Sequence, residues 1–131
     1  MNLMTAELQQ SWQVLESYLD TLGFAPGAMP QNGVLELESG NGKSLVFEVL
    51  ARGILVSVSR EVPGYQFDEL LEPALLSCHY QEFLPLQVSA GLAGGDRLVF
   101  SSLLPVADAS PEQLDPVVSS LLSMHDNLSL S

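Results

Sequence analysis

The chain has 131 residues, 47% of them hydrophobic, and sets 16 acidic side chains against four basic ones for a formal net charge of −12. That length suits one domain over residues 1–131, yet so small a domain is short of buried area when alone, so dimerisation is expected to relieve the shortage. The acidity excludes nucleic acid and anionic membrane surfaces as partners, because both repel negative charge, and the single cysteine, Cys78, excludes an internal disulfide and a cysteine-based zinc site.

The first segment has a helical period. Leu8, Trp12, Leu15, Leu19 and Leu22 fall on one stripe of a 3.6-residue helix, with Gln9, Gln10, Gln13, Glu16 and Asp20 on the other side. Thr5 is placed to cap its start and Gly23 to end it in a left-handed turn. The N-terminal stretch MNLMTAELQQSW has neither the basic nor the apolar region of a signal peptide, and no apolar run approaches the roughly 20 residues of a membrane span. A soluble cytoplasmic protein is expected, with no membrane insertion.

After a loop from Pro26 to Gly33 the period becomes two. GVLELES alternates Leu35 and Leu37 against Val34, Glu36 and Glu38; SLVFEVL alternates Leu45, Phe47 and Val49 against Val46, Glu48 and Leu50; ILVSVSR alternates Ile54, Val56 and Val58 against Leu55, Ser57 and Ser59. These predict three strands of an antiparallel meander with one core face. Between the first two lies SGNGKS, Ser39 to Ser44, which has the glycines, lysine and hydroxyl of a phosphate-binding loop. Such a loop needs a glycine five residues before its Gly-Lys pair and a helix after it. Leu37 stands at the first position and a strand pattern follows Lys43, while Asn41-Gly42 is the preferred pair for a tight hairpin. The stretch is therefore a hairpin tip and Lys43 a solvated turn residue.

Phe67 to about Tyr80 forms a second helical pattern, with Phe67, Leu70, Leu71, Ala74, Leu75 and Cys78 on a broad apolar face and Pro73 suited only to a start near Glu72 or a bend. PLQVSAGL and RLVFSSLLP form a second hairpin across Ala93–Asp96. The last helix opens on Ser110-Pro111-Glu112-Gln113, a capping serine followed by a proline at the first helical position, and continues through Leu114, Val117, Val118, Leu121, Leu122, His125 and Leu128. The order α-β-β-β-α-β-β-α predicts an α+β fold, a twisted antiparallel sheet flanked by three helices. Val34, Val46, Leu50 and Leu55 fall on the face opposite the core, either beneath a helix or along a dimer seam or groove.

No catalytic set stands out, and neither a metal nor a cofactor is expected. Cys78 and His79 are adjacent, so on a helix they point about 100° apart, and no third group orients the imidazole. Glu36 and Glu38 share a strand face roughly 7 Å apart, but paired carboxylates need burial to separate their pKa values. Asn127-Leu128-Ser129 matches a glycosylation sequon that a cytoplasmic protein would not use.

The element order, acidity and size resemble the class I chaperones of bacterial type III secretion. GLAGGDRLVFSSLLPVADASPEQLDPVVSSLL resembles that family's second hairpin, proline-containing connector and final helix, and GVLELESGNGKSLVFEVLAR resembles the first hairpin of some members. Pro73 departs from the pattern. The resemblance implies a homodimer, less often a heterodimer, that binds the N-terminal segment of a secreted effector as a wrapped, extended chain without ATP hydrolysis. By resemblance, Leu71, Leu75, Leu86 and Val88 would form the dimer seam, and Leu8, Trp12, Leu15, Leu35 and Leu37 the client groove, unless Trp12 and Leu15 are simply core. Two other classes compete with this: a small dimeric scaffold or regulatory module of similar architecture, and a small enzyme or nucleotide binder built on SGNGKS or Cys78-His79.

Overall fold

A computed structural model of the chain describes residues 6–25, 27, 30, 32–38, 42–62, 69, 72–74, 88–93 and 96–128. Helix α1 spans Ala6–Thr21, strands β1 to β3 span Val34–Glu38, Lys43–Leu50 and Gly53–Glu61, β4 spans Val88–Ala93, β5 spans Arg97–Pro105, and helix α2 spans Pro111–Leu128 after a 3-10 turn over Val106–Asp108. Glu69 and residues 72–74 are also helical, Pro73 among them. The rest of the segment expected to form a helix from Phe67 to Tyr80 lies outside the described residues, as do Thr5 and the Cys78-His79 pair.

The five strands make one antiparallel sheet in the order β1-β2-β3-β5-β4. β5 returns beside β3 and leaves β4 on one edge, while β1 forms the other. The register pairs Phe47 with Val56 and Val58 with Phe100. Because side chains alternate along a strand, that register gathers Phe47, Val49, Ile54, Val56, Val58, Leu98, Phe100 and Leu104 on one face, all buried. Both long helices cover this face. α1 contributes Trp12, Leu15, Tyr18 and Leu19, and α2 contributes Leu114, Val117, Val118, Leu121 and Met124. Each such side chain is worth roughly 1.5–3 kcal/mol when fully buried, so this seam between sheet and helices is the main source of stability. On the opposite face Val46, Leu50 and Leu55 are half-buried and Glu36 and Glu38 are exposed.

Helix ends follow the local chemistry of the sequence. Gly23, at φ +89°, donates its N–H to the Asp20 carbonyl at 3.0 Å, and Phe24 donates to the Leu19 carbonyl at 2.9 Å. This pair of bonds is the glycine-dependent Schellman ending. At α2 the Ser110 hydroxyl accepts the Gln113 N–H at 3.2 Å, as the capping pattern predicts. Pro116 stands inside α2 on its exposed side and cannot supply an N–H to the preceding turn. Gly53 is fixed by contact: at φ +153°, a Cβ there would lie 2.1 Å from the Leu104 carbonyl oxygen, so β3 and β5 close against each other only at glycine.

Two sequence expectations are corrected. Leu22, counted in the apolar stripe of α1, lies just past the helix and is 47% exposed, because the chain turns away at Gly23 before a further turn can carry it to the core. Lys43 is not a solvated turn residue. It is the first residue of β2, is 5% exposed, and its Nζ donates to the Asp126 carboxylate of α2. Lys43 shares the core face of β2, so its aliphatic stem runs under the end of α2 and only its head reaches a charge.

Candidate functional site

The residues predicted to line a groove divide by burial. Trp12 and Leu15 are 7% and 0% exposed and belong to the core. Leu8, Leu35 and Leu37 are partly buried and pack at its margin. Leu35 and Leu37 lie on β1, an edge strand whose inner side pairs with β2 through Leu35↔Phe47 and Leu37↔Leu45. The outer side of β1 has no strand beside it among the described residues. Unpaired N–H and C=O groups of an edge strand are a template for a further strand. Of the residues assigned to a dimer seam, Leu71, Leu75 and Leu86 lie outside the described residues. Val88 is on the opposite edge strand, β4, and is 5% exposed.

Among the described residues one titratable group is fully enclosed. His125, on α2, is 0% exposed. Its Nε2 lies 2.7 Å from the Val58 carbonyl oxygen, so Nε2–H donates and Nδ1 carries the lone pair. Nδ1 is buried with no hydrogen-bond partner among the described residues, and the Phe100 ring packs edge-on with centroids 4.8 Å apart. Burial pushes the imidazole pKa down to about 4; the bond to Val58 and the Asp126 charge oppose this, and the Arg60 and Lys43 charges add to it. A neutral histidine held this way braces α2 on β3. Periodicity placed His125 on the inner face of α2, but no signal in the sequence distinguished its enclosure. Across the sheet, the Arg97 guanidinium donates to the Ser59 hydroxyl at 2.9 Å and the Ser44 hydroxyl at 3.1 Å, tying three strands together.

Nothing described assembles a reaction centre. Glu36 and Glu38 are solvated, and among the described residues no three His, Cys, Asp or Glu side chains gather as metal ligands. Among them too, no helix is long and apolar enough to cross a membrane. Of SGNGKS, Ser39 to Asn41 lie outside the described residues, while Lys43 and Ser44 belong to strand β2 and Lys43 is held by Asp126. What the surface does present is apolar: the margin at Leu8, Leu35 and Leu37, and a second place at the end of α1. There Leu22 and Phe24 are 47% and 46% exposed, and a cleft of about 460 Å³ opens between Glu16, Ser17 and Asp20 of α1 and Phe24, Ala25 and Gly27.

Neither a protein-family model nor a curated protein matches this sequence. Solved structures do match its fold. A chain of the HopA1–SchA chaperone–effector complex superposes with a TM-score of 0.71 at 14% identity, over 97% of this chain and 98% of that one. A chain of the heterodimeric ExoU–SpcU complex from the type III secretion system of Pseudomonas aeruginosa superposes at 0.62 with 22% identity, over 87% and 93% of the two chains. YbjN of E. coli, a candidate transcription regulator, superposes at 0.58 with 18% identity, over 89% and 87%. The α+β fold is thus one found in type III secretion chaperone–effector complexes.

Proposed function

We propose that this chain is a type III secretion chaperone, a single domain over residues 1–131 that holds the N-terminal segment of a secreted effector in an extended, export-ready form. The observation that carries this is the likeness to the chaperone–effector complex over nearly the whole of both chains at a TM-score of 0.71. Two features support it. The net charge of −12 keeps a protein with exposed apolar surface soluble. β1 offers an open edge to which a client strand adds, with Leu35, Leu37 and Leu8 beside it for the client's apolar side chains. Trp12 and Leu15 form the floor behind them rather than direct contacts. Nothing in this role needs a cofactor, metal or nucleotide; binding alone holds the client. The functional unit in this reading is a dimer, joined through the segment carrying Leu71, Leu75 and Leu86, with Val88 of β4, 5% exposed, in the core behind it rather than at the seam.

A second reading has its own observation. The likeness to YbjN is close to that with SpcU's complex, 0.58 against 0.62, and it favours a small regulatory or scaffold module. Affinity capture from the native organism, with bound proteins identified by mass spectrometry, separates the two. Recovery of a secreted protein, retained through its N-terminal segment and lost when that segment is deleted, is the expected result. Recovery of cytoplasmic regulators alone would transfer the function to the second reading. A chain that stays monomeric at micromolar concentration by light scattering and ignores every secreted N-terminal segment would end the first.

A further inference from the structure

The end of α1 breaks the electrostatic rule for helix termini. A helix C-terminus carries the negative end of the macrodipole and is stabilised by cations. The last turn of α1 holds no basic residue and instead holds Asp20, with Glu16 one turn earlier. Like charges four residues apart on a helix repel. No lysine or arginine answers them: the four are on β2, β3, β5 or the β2–β3 turn, and Glu16 and Asp20 take part in no ion pair among the described residues, where the pair is Lys43–Asp126. Beside these carboxylates the chain leaves Leu22 and Phe24 about half exposed, the two large apolar side chains most open to solvent among the described residues, and Phe24 walls the 460 Å³ cleft that Glu16 and Asp20 rim. A local conflict of this kind is what a binding surface looks like before its partner arrives.

We propose that the cleft at the C-terminal end of α1 is a docking point for a basic chain segment of another protein. Two basic side chains flanking a large apolar one answer the two carboxylates, which lie about 6 Å apart along the helix, while the apolar side chain packs on Phe24. The partner's positive charge completes the helix end that the chain itself leaves acidic. This surface is separate from the strand edge of β1, and it stands whether or not the chain is a secretion chaperone.

The test uses the full chain and a fluorescein-labelled synthetic peptide, GSKLFSKLSG, followed by fluorescence anisotropy at physiological ionic strength. Its acidic counterpart GSELFSELSG and its apolar-stripped counterpart GSKSSSKSSG serve as controls. The basic peptide is expected to bind and both controls to bind at least about tenfold more weakly. Phe24→Ser, and separately the double variant Glu16→Lys with Asp20→Lys, are each expected to weaken binding about tenfold or more. The double variant Glu7→Lys with Glu61→Lys makes the same change in net charge elsewhere and is expected to leave binding within about twofold. These positions are exposed, and circular dichroism confirms that each variant keeps its helices. Failure of the basic peptide to bind, equal weakening by the two double variants, or indifference to Phe24→Ser would each overturn the proposal. None of these results bears on capture of a secreted client, so the chaperone reading is judged separately.

Discussion

The two long helices lie on the same face of one sheet, and their C-terminal ends are finished in opposite ways. α2 ends over Lys43, whose charge meets Asp126, and buries His125 against Val58 and Phe100. α1 ends with Asp20 in its last turn and Leu22 and Phe24 in solvent. At α2 the chain supplies its own cations to the negative end of the dipole; at α1 it supplies none. The difference separates structure from interaction: the closed end is where disruption costs stability, and the open end is where disruption should cost binding with little effect on the fold.

The largest effect expected at the closed end is from loss of Phe100. It is fully buried and walls His125, and Phe100→Ala should cost about 3–5 kcal/mol by denaturant unfolding. A smaller loss would mean that the closed end is loosely packed. Acid should act next. His125 has its folded pKa depressed to about 4 from an ordinary value of 6.5, so the unfolded chain takes up the proton first. Stability from neutral His125 is therefore complete above about pH 6.5 and declines as pH falls toward 4, by at most about 3 kcal/mol. Asp126, whose carboxyl is held below its usual range chiefly by its hydrogen bond to Lys43, adds a further loss only in stronger acid. His125→Leu should flatten the decline between pH 6.5 and 4; an unchanged slope would place its origin elsewhere.

Lys43→Met should be milder. The stem's packing is kept and Asp126 is left facing water, so the cost should stay below about 1 kcal/mol. A loss of several kcal/mol would show that the buried cation braces the closed end directly. The smallest effect is expected at the open end, where Leu22→Ser and Phe24→Ser should each change unfolding stability by less than about 0.5 kcal/mol. If either destabilised the chain strongly, the contrast between the two ends would collapse.

Much of this was determined by the sequence alone, because local rules govern it. Period two marked β1, β2, β3 and β5, with Leu35, Leu45, Phe47, Ile54 and Val58 on the inner face, and period 3.6 with Gly23, Ser110 and Pro111 bounded the helices, since each signal is set by neighbours in the chain. The sequence also separated SGNGKS from a nucleotide-binding loop, because the residues after Lys43 alternate as a strand. The features that only the tertiary structure decided depend on partners distant in sequence. Lys43 is buried because Asp126, 83 residues later, reaches it. His125 is enclosed because Val58 and Phe100 come from two neighbouring strands, β3 and β5, and the order β1-β2-β3-β5-β4 that joins those strands has no local signature. Trp12 and Leu22 share one stripe in the sequence yet end in core and solvent, because α1 ends at Thr21 and the chain turns away at Gly23 before Leu22 can reach the core. Periodicity names the face a residue would lie on; where the element ends and what packs against it decide whether that residue is buried or left open for another molecule.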